Sequence, residues 1–282
     1  MTATTTRAPS SGKGSEVDEL PASNIFVSLR TFGSVLWRDV FVTGRELLPF
    51  LAQVVIQPFF MLFIFGKVLG GLGYVNSAAF APILMAGIVA LNGFLGGLQN
   101  TTMPLIMDFS FTREIEDRLL APMPVPWVAV EKMVFGALRG IVAAVLMVPV
   151  GLALLPTVSW PASKLPAVLG VIVLGSLAGA AIGMTIGTLV TPRRINIMFA
   201  VILTPLMFTG CTQFPWRGLT SLRWFQVVCA FNPLTYISES MRAILVPSVQ
   251  SIPLWIAVPA SVLALLIFGG VGIWGFMRRA ID

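Results

Sequence analysis

Catalysis needs a few residue types at fixed spacing, and this chain is poor in them. It holds no histidine, so the commonest metal ligand, general base and proton relay is missing. Its two cysteines, Cys211 and Cys229, are too few for a cysteine-rich metal site. Phosphate cradling of the G-x-x-x-x-G-K-[S/T] kind has no match, because Gly12-Lys13 lacks the upstream glycine. Proton-driven carriers keep acids or histidines deep in a membrane span, and no acid falls well inside an apolar run. The expectation is a chain with no catalytic residue, no metal and no cofactor of its own.

What remains are polar groups in costly places. Gln53 and Gln57 stand one turn apart in one apolar run, and Asn92 and Gln99 two turns apart in the next. Such amides serve a wet or amphiphilic translocation pathway, or they hydrogen-bond helix to helix; both readings fit. Arg139 in a third run is costly unless paired, and Glu131, two turns back, is the nearby acid. Gly175, Gly179, Gly183 and Gly187 put a glycine on every fourth position of a fourth run. That stripe lets another helix approach at backbone distance, from within the chain or from a second subunit.

The elements that position these residues are membrane spans. The chain is 56% hydrophobic and 11% charged with mean hydropathy +0.91, against about 25% charged in a soluble domain. Lipid must be its solvent, and an all-α fold follows, because every backbone polar group must be satisfied within its own helix. Six runs are long enough to cross, at 47–68, 81–104, 129–155, 166–190, 195–212 and 253–277. An even number puts both termini on one side. That side collects eleven lysines and arginines and the other five, so the termini are expected in the cytoplasm. The net charge of +6 is thereby explained by topology, and no nucleic-acid partner is implied.

Several segments do not span. Residues 1–23 are Ser/Thr-rich and read as a disordered cytoplasmic tail. Residues 24–45 are an amphipathic helix, with Ile25, Phe26, Leu29, Phe32, Leu36 and Val40 on one face and Arg30, Ser34, Arg38 and Arg45 opposite. With Trp37 at the boundary, it is expected in the membrane interface beside lipid headgroups. The loop 105–126 carries Arg113, Glu114, Glu116, Asp117 and Arg118 within six positions and then prolines 122, 124 and 126. Glu114 and Arg118 are one turn apart in the favourable order. A short charged helix results, either simply solvated or docking a cytoplasmic partner. Between the last two spans, 210–250 is too apolar for a loop. Asn232-Pro233 marks a helix start, with Glu239 and Arg242 a turn apart on it, so two short re-entrant helices in the outer leaflet are expected. Cys211 and Cys229 both map to that side, as buried thiols or a disulfide.

Two of these segments resemble the permease subunits of type-2 ABC exporters, the group that includes the daunorubicin/doxorubicin-resistance permeases. They are FTREIEDRLLAPMPVPWVAVEKM at 111–133 and FTGCTQFPWRGLTSLRWFQVVCAFNPLTYISESMRAIL at 208–245. The first departs from the family pattern, with Ala121-Pro122 where the family has Thr-Pro. The resemblance covers about 24–279 and implies a six-helix transmembrane domain over 46–282. It also implies a coupling helix at 108–121, where Arg113, Glu114, Asp117 and Arg118 dock a cytoplasmic ABC ATPase that binds ATP and Mg. It further implies a second permease subunit, a bacterial plasma-membrane location, and a hydrophobic or amphipathic cargo (drug, lipid or glycolipid) moved along an interface of the first, second and fifth spans. A lipid-linked polysaccharide is the alternative cargo. A passive channel or scaffold is the alternative of a different class.

Overall fold

Apolar runs punctuated by proline and glycine become long helices whose ends fall where the punctuation does. The computed structural model describes residues 25–45, 47–74, 76–109, 124–190 and 194–281. The expected tail 1–23 lies outside them, as do the four docking candidates Arg113, Glu114, Asp117 and Arg118. Among the described residues every regular element is helical. In chain order these are α1 (Ile25–Arg45), α2 (Leu47–Met61), α3 (Leu69–Gly71), α4 (Ser77–Met107), α5 (Val125–Leu154), α6 (Leu165–Leu189), α7 (Ile195–Met198), α8 (Thr204–Thr209), α9 (Arg223–Ala230), α10 (Pro233–Leu245) and α11 (Leu254–Ile281).

A wide π-helical stretch, Leu62–Val68, joins α2 to α3, and another, Phe199–Leu203, joins α7 to α8. Each lies beside a proline, Pro58 upstream of the first and Pro205 at the start of α8. A proline removes one ladder donor, and the helix widens to accommodate the loss. Among the described residues, five helical stretches are long and apolar enough to cross a membrane: Val54–Gly71, Ala78–Met107, Val125–Leu154, Ala162–Leu189 and Leu254–Ala280. The expected span 195–212 is the exception. Its described helix ends at Thr209, and the chain then turns back into the bundle.

The centre of the bundle is α4, packed between α5 and α6. Glycine makes that contact. A Cβ on Gly179 of α6 would collide with the Phe94 carbonyl of α4, and one on Gly183 with the Leu98 carbonyl. From the other side, Gly97 of α4 faces the Ser176 carbonyl and Gly140 of α5 faces the Gly93 carbonyl. Backbones in contact gain dispersion that side chains would block. Gly175 and Gly187, the other two of the stripe, face side chains, Ile237 of α10 and Leu105 of α4. The stripe therefore serves packing within the chain. Around it lies the main apolar core, with Leu84, Met85, Ile88, Phe94, Leu98 and Met147 fully buried.

The two ends of the bundle differ. At the termini end, α1 crosses the start of α5, with Phe32 edge-on to Trp127 at 6.0 Å. Trp37, Val40 and Phe41 remain exposed on α1 beside exposed Arg30 and Arg38, the mixture an interfacial helix presents to lipid. At the hairpin end, α10 descends among α4, α6 and α11. Its Ile237 meets Gly175, ten residues and thus about 15 Å into α6. Thr212 likewise sits against Gly87, ten residues into α4.

Candidate functional site

A cleft opens between α2 and α4. Phe50, Val54, Gln57, Pro58 and Met61 form one wall, and Leu91, Asn92, Leu95, Gly96, Gln99 and Asn100 the other. Its volume is about 40 Å³, room for two or three waters. Three of the four sequence-predicted amides, Gln57, Asn92 and Gln99, line it. Gln53 lies on α2 one turn before Gln57, and its side chain is outside the described set. Asn100, which nothing in the sequence singles out, is the fourth amide of the cleft. The walls alternate carboxamides with aliphatic and aromatic carbon, a lining that suits an amphipathic molecule only once the cleft widens well beyond its present volume.

The amides differ in how far they are committed. Asn92 donates through Nδ2 to the Ala143 carbonyl of α5 at 2.8 Å, and Asn100 donates to its own helix at the Gly96 carbonyl at 2.7 Å. Gln57 is exposed and reaches only the Met207 sulfur of α8 at 3.9 Å. Behind the cleft, the Arg139 guanidinium of α5 sits 4.8 Å from the Phe50 ring centroid and 5.6 Å from that of Phe135. Such a contact attracts a cation to the ring face where solvent is scarce. Thus Gln57 on α2 is the freer polar group of the cleft, whereas Asn92 and Asn100 on α4 are already bonded to backbone.

Among the described residues, buried charge is found near the two ends of the bundle. Asp108, Glu131 and Glu239 are the buried acids of that set. At the termini end, Lys132 donates to Asp108 Oδ2 at 2.5 Å. At the hairpin end, Glu239 and Arg242 are both 0% exposed and pair directly. Each partner of that second pair also holds backbone. Glu239 accepts from the amides of Trp216 (3.0 Å) and Ile252 (2.9 Å). Arg242 Nη2 donates to the Cys211 carbonyl at 2.7 Å, where Cys211 takes a positive φ of 50°. One ion pair thus fastens the turn after α8, the turn at 216 and the lead into α11.

Asn232 caps α10 as its Asn-Pro spacing predicts, accepting from the Leu234 amide at 3.0 Å. Its Nδ2 also donates to the Leu206 carbonyl (2.7 Å) and Thr209 Oγ1 (2.8 Å) of α8. Ser238 Oγ donates to the Gly210 carbonyl at 2.7 Å. One face of α10 is therefore polar and binds irregular backbone. The other, with Leu234, Ile237 and Met241, joins the core. Cys211 and Cys229 are both buried free thiols. Burial keeps them out of reach of reagents.

The described residues hold no constellation for bond-breaking chemistry. They form a polar cleft in an apolar bundle and a helical hairpin folded back into the membrane layer, with the charged loop of the sequence rooted at the opposite end. The chain belongs to the ABC-2 type transporter family, which it matches over residues 30–246, so it is a multi-pass membrane permease subunit of an ABC transporter. It is 26% identical over 189 residues, 64% of this chain and 68% of the relative, to the protein called inner membrane transport permease YadH from Escherichia coli K12. The YadH of Shigella flexneri shows the same identity and coverage.

Proposed function

We propose that this chain is the permease of an ATP-driven exporter that moves a hydrophobic or amphipathic molecule (a drug, lipid or glycolipid) across a bacterial inner membrane. The observation that carries the reading is the α2–α4 cleft, where Gln57, Asn92, Gln99 and Asn100 interrupt an otherwise apolar lining. A channel for ions would need a continuous polar path, and among the described residues Gln57 has no helix-packing partner beyond the Met207 sulfur. The eleven basic residues on the termini side support cytoplasmic termini, which puts the α9–α10 hairpin outside.

Hydrolysis is assigned to an ABC ATPase partner, which membership of the ABC-2 family supports. That partner binds ATP and Mg and docks on Arg113, Glu114, Asp117 and Arg118. Two permease subunits meet along α2 and the α7–α8 segment, two of the three spans the resemblance implies, which expose Ile56, Phe60, Ile197 and Val201; the other, α4, is enclosed within its own chain. Docking at the charged loop then shifts α4 and α5 relative to α2 and opens the cleft outward.

Co-purification and transport test this reading together. An ATPase with a phosphate-binding loop is expected in the membrane complex. The reversal Arg113→Glu/Glu114→Lys/Asp117→Lys should release it and reduce transport by about tenfold or more. A complex with no such ATPase, or full transport by the reversed variant, sinks the exporter reading in favour of a passive channel.

A further inference from the structure

One face of α9 holds it to the hairpin. Phe225 packs on Phe214 at 6.2 Å, and Cys229 is buried. Gln226 Nε2 donates to the Trp216 carbonyl at 3.1 Å, and Trp216 Nε1 donates back to the Gln226 carbonyl at 2.9 Å. The opposite face is bare. Trp224, Val227, Val228 and Phe231 are spaced i, i+3, i+4 and i+7, so they form one apolar stripe, and they stand between 45% and 84% exposed. The stripe has a shallow end and a deep end. Glu239 accepts from the amides of both Trp216 and Ile252, which sets the start of α9 level with the lead into α11, where Trp255 is exposed. Just past the other end, Asn232 bonds the Leu206 carbonyl inside the bundle. From Arg223 to Phe231 the helix therefore descends about 12 Å. Exposed Arg217 and Arg223 stand at its shallow end, followed by Trp224, the two valines and then Phe231. Cation, tryptophan and hydrocarbon in that order match the layers of a leaflet from headgroup to acyl chain.

We propose that α9 and the turn before it form a binding surface for anionic phospholipid in the leaflet on the hairpin side. Arg217 and Arg223 take the headgroup phosphate, and the stripe lies along the acyl chains. Charge selects this occupant. The connections at this end of the bundle, 62–78, 152–168 and 210–256, contain Lys67, Lys164, Arg217, Arg223 and Arg242 but one acid, Glu239. That acid is buried against Arg242, so these connections offer Arg217 and Arg223 no carboxylate. A second copy of the chain supplies none either, because a two-fold contact through the stripe sets the same arginines face to face. A zwitterionic headgroup brings a cation of its own to the site, whereas an anionic one brings only the counter-charge that is missing. The proposal is independent of whether the chain exports and of what it carries.

The test uses the full chain in vesicles of mixed phosphatidylcholine and phosphatidylglycerol, in a Cys211→Ser/Cys229→Ser background with Val227→Cys carrying a bimane fluorophore. A nitroxide quencher is placed on the acyl chain of one lipid or of the other, at the same overall composition. Per mole, phosphatidylglycerol should quench about threefold or more better than phosphatidylcholine. Arg217→Gln/Arg223→Gln should bring that ratio to about one, Arg217→Lys/Arg223→Lys should keep it above about twofold, and Lys67→Gln/Lys164→Gln should leave it unchanged. A ratio near one with both arginines present overturns the proposal, as does a ratio that survives their neutralisation. Absence of quenching by either lipid, with cross-linking between copies through Val227→Cys, hands the stripe to a second subunit and overturns it too. If the neutral pair does not reconstitute, salt decides on the parent protein. At about 1 M, where charges are screened within about 3 Å, the ratio should fall to about one, and an unchanged ratio overturns the proposal.

Discussion

Arg242 is the largest fully buried side chain of the described residues, and it holds its place because Glu239 and two carbonyls surround it. Removing one member of such a pair leaves the other charged and buried, at a cost of about 3–5 kcal/mol. Arg242→Met is therefore expected to lower the thermal unfolding midpoint of the detergent-solubilised protein sharply. The double change Glu239→Gln/Arg242→Met should be milder than the two single costs added, since no lone charge remains. An unchanged midpoint for Arg242→Met would show that the pair does not hold the hairpin. The thiols predict the opposite. Cys211 and Cys229 are 0% exposed and unpaired by a disulfide. Neither should react with maleimide until the protein unfolds, which mass spectrometry of labelled native and denatured samples would show.

Helix contacts are where glycine decides. A methyl at Gly179 would strike the Phe94 carbonyl, whereas one at Gly170 on the same helix would meet nothing within 4 Å. Gly179→Val should thus separate α4 from α6 and cost about 1–3 kcal/mol or more, while Gly170→Val should be near neutral. Comparing the two unfolding midpoints isolates the close approach from any general effect of valine in a membrane helix. The glycine stripe is legible in the sequence by its period of four, but its partner is not; the carbonyls of Phe94 and Leu98 lie some 85 residues upstream with no pattern to mark them. Helix positions are readable for a plain reason: an apolar run must become a helix in lipid. The third span nonetheless begins at Val125 rather than 129, because Pro126 sits in the first turn, where a missing N–H costs nothing. Asp108 and Lys132 are not recognisable as a pair from their spacing. Each looks like ordinary end-of-span charge, and only the fold brings them across the loop.

At the scale of the molecule, α4 is enclosed by its neighbours while α2 and the α7–α8 segment keep much of their surface open. Ile56, Phe60, Ile197 and Val201 stand between 54% and 64% exposed. In the proposed dimer these faces cover one another. Val201→Cys in the cysteine-free background should then cross-link between subunits in native membranes, and Val142→Cys, exposed on α5, should not. The reverse pattern would relocate the interface. A last consequence comes from where the helix before the hairpin stops. It ends at Thr209, and Thr212 just beyond sits beside Gly87, ten residues and so about 15 Å into α4, in a hydrocarbon layer about 30 Å thick. With the hairpin folded down to meet it, the bilayer beside this segment has to thin, or the segment has to be shielded by a neighbouring subunit. The protein should therefore sense the thickness of its membrane. Reconstituted into lipids of increasing acyl length, it is expected to lose transport in thick bilayers before it loses its fold.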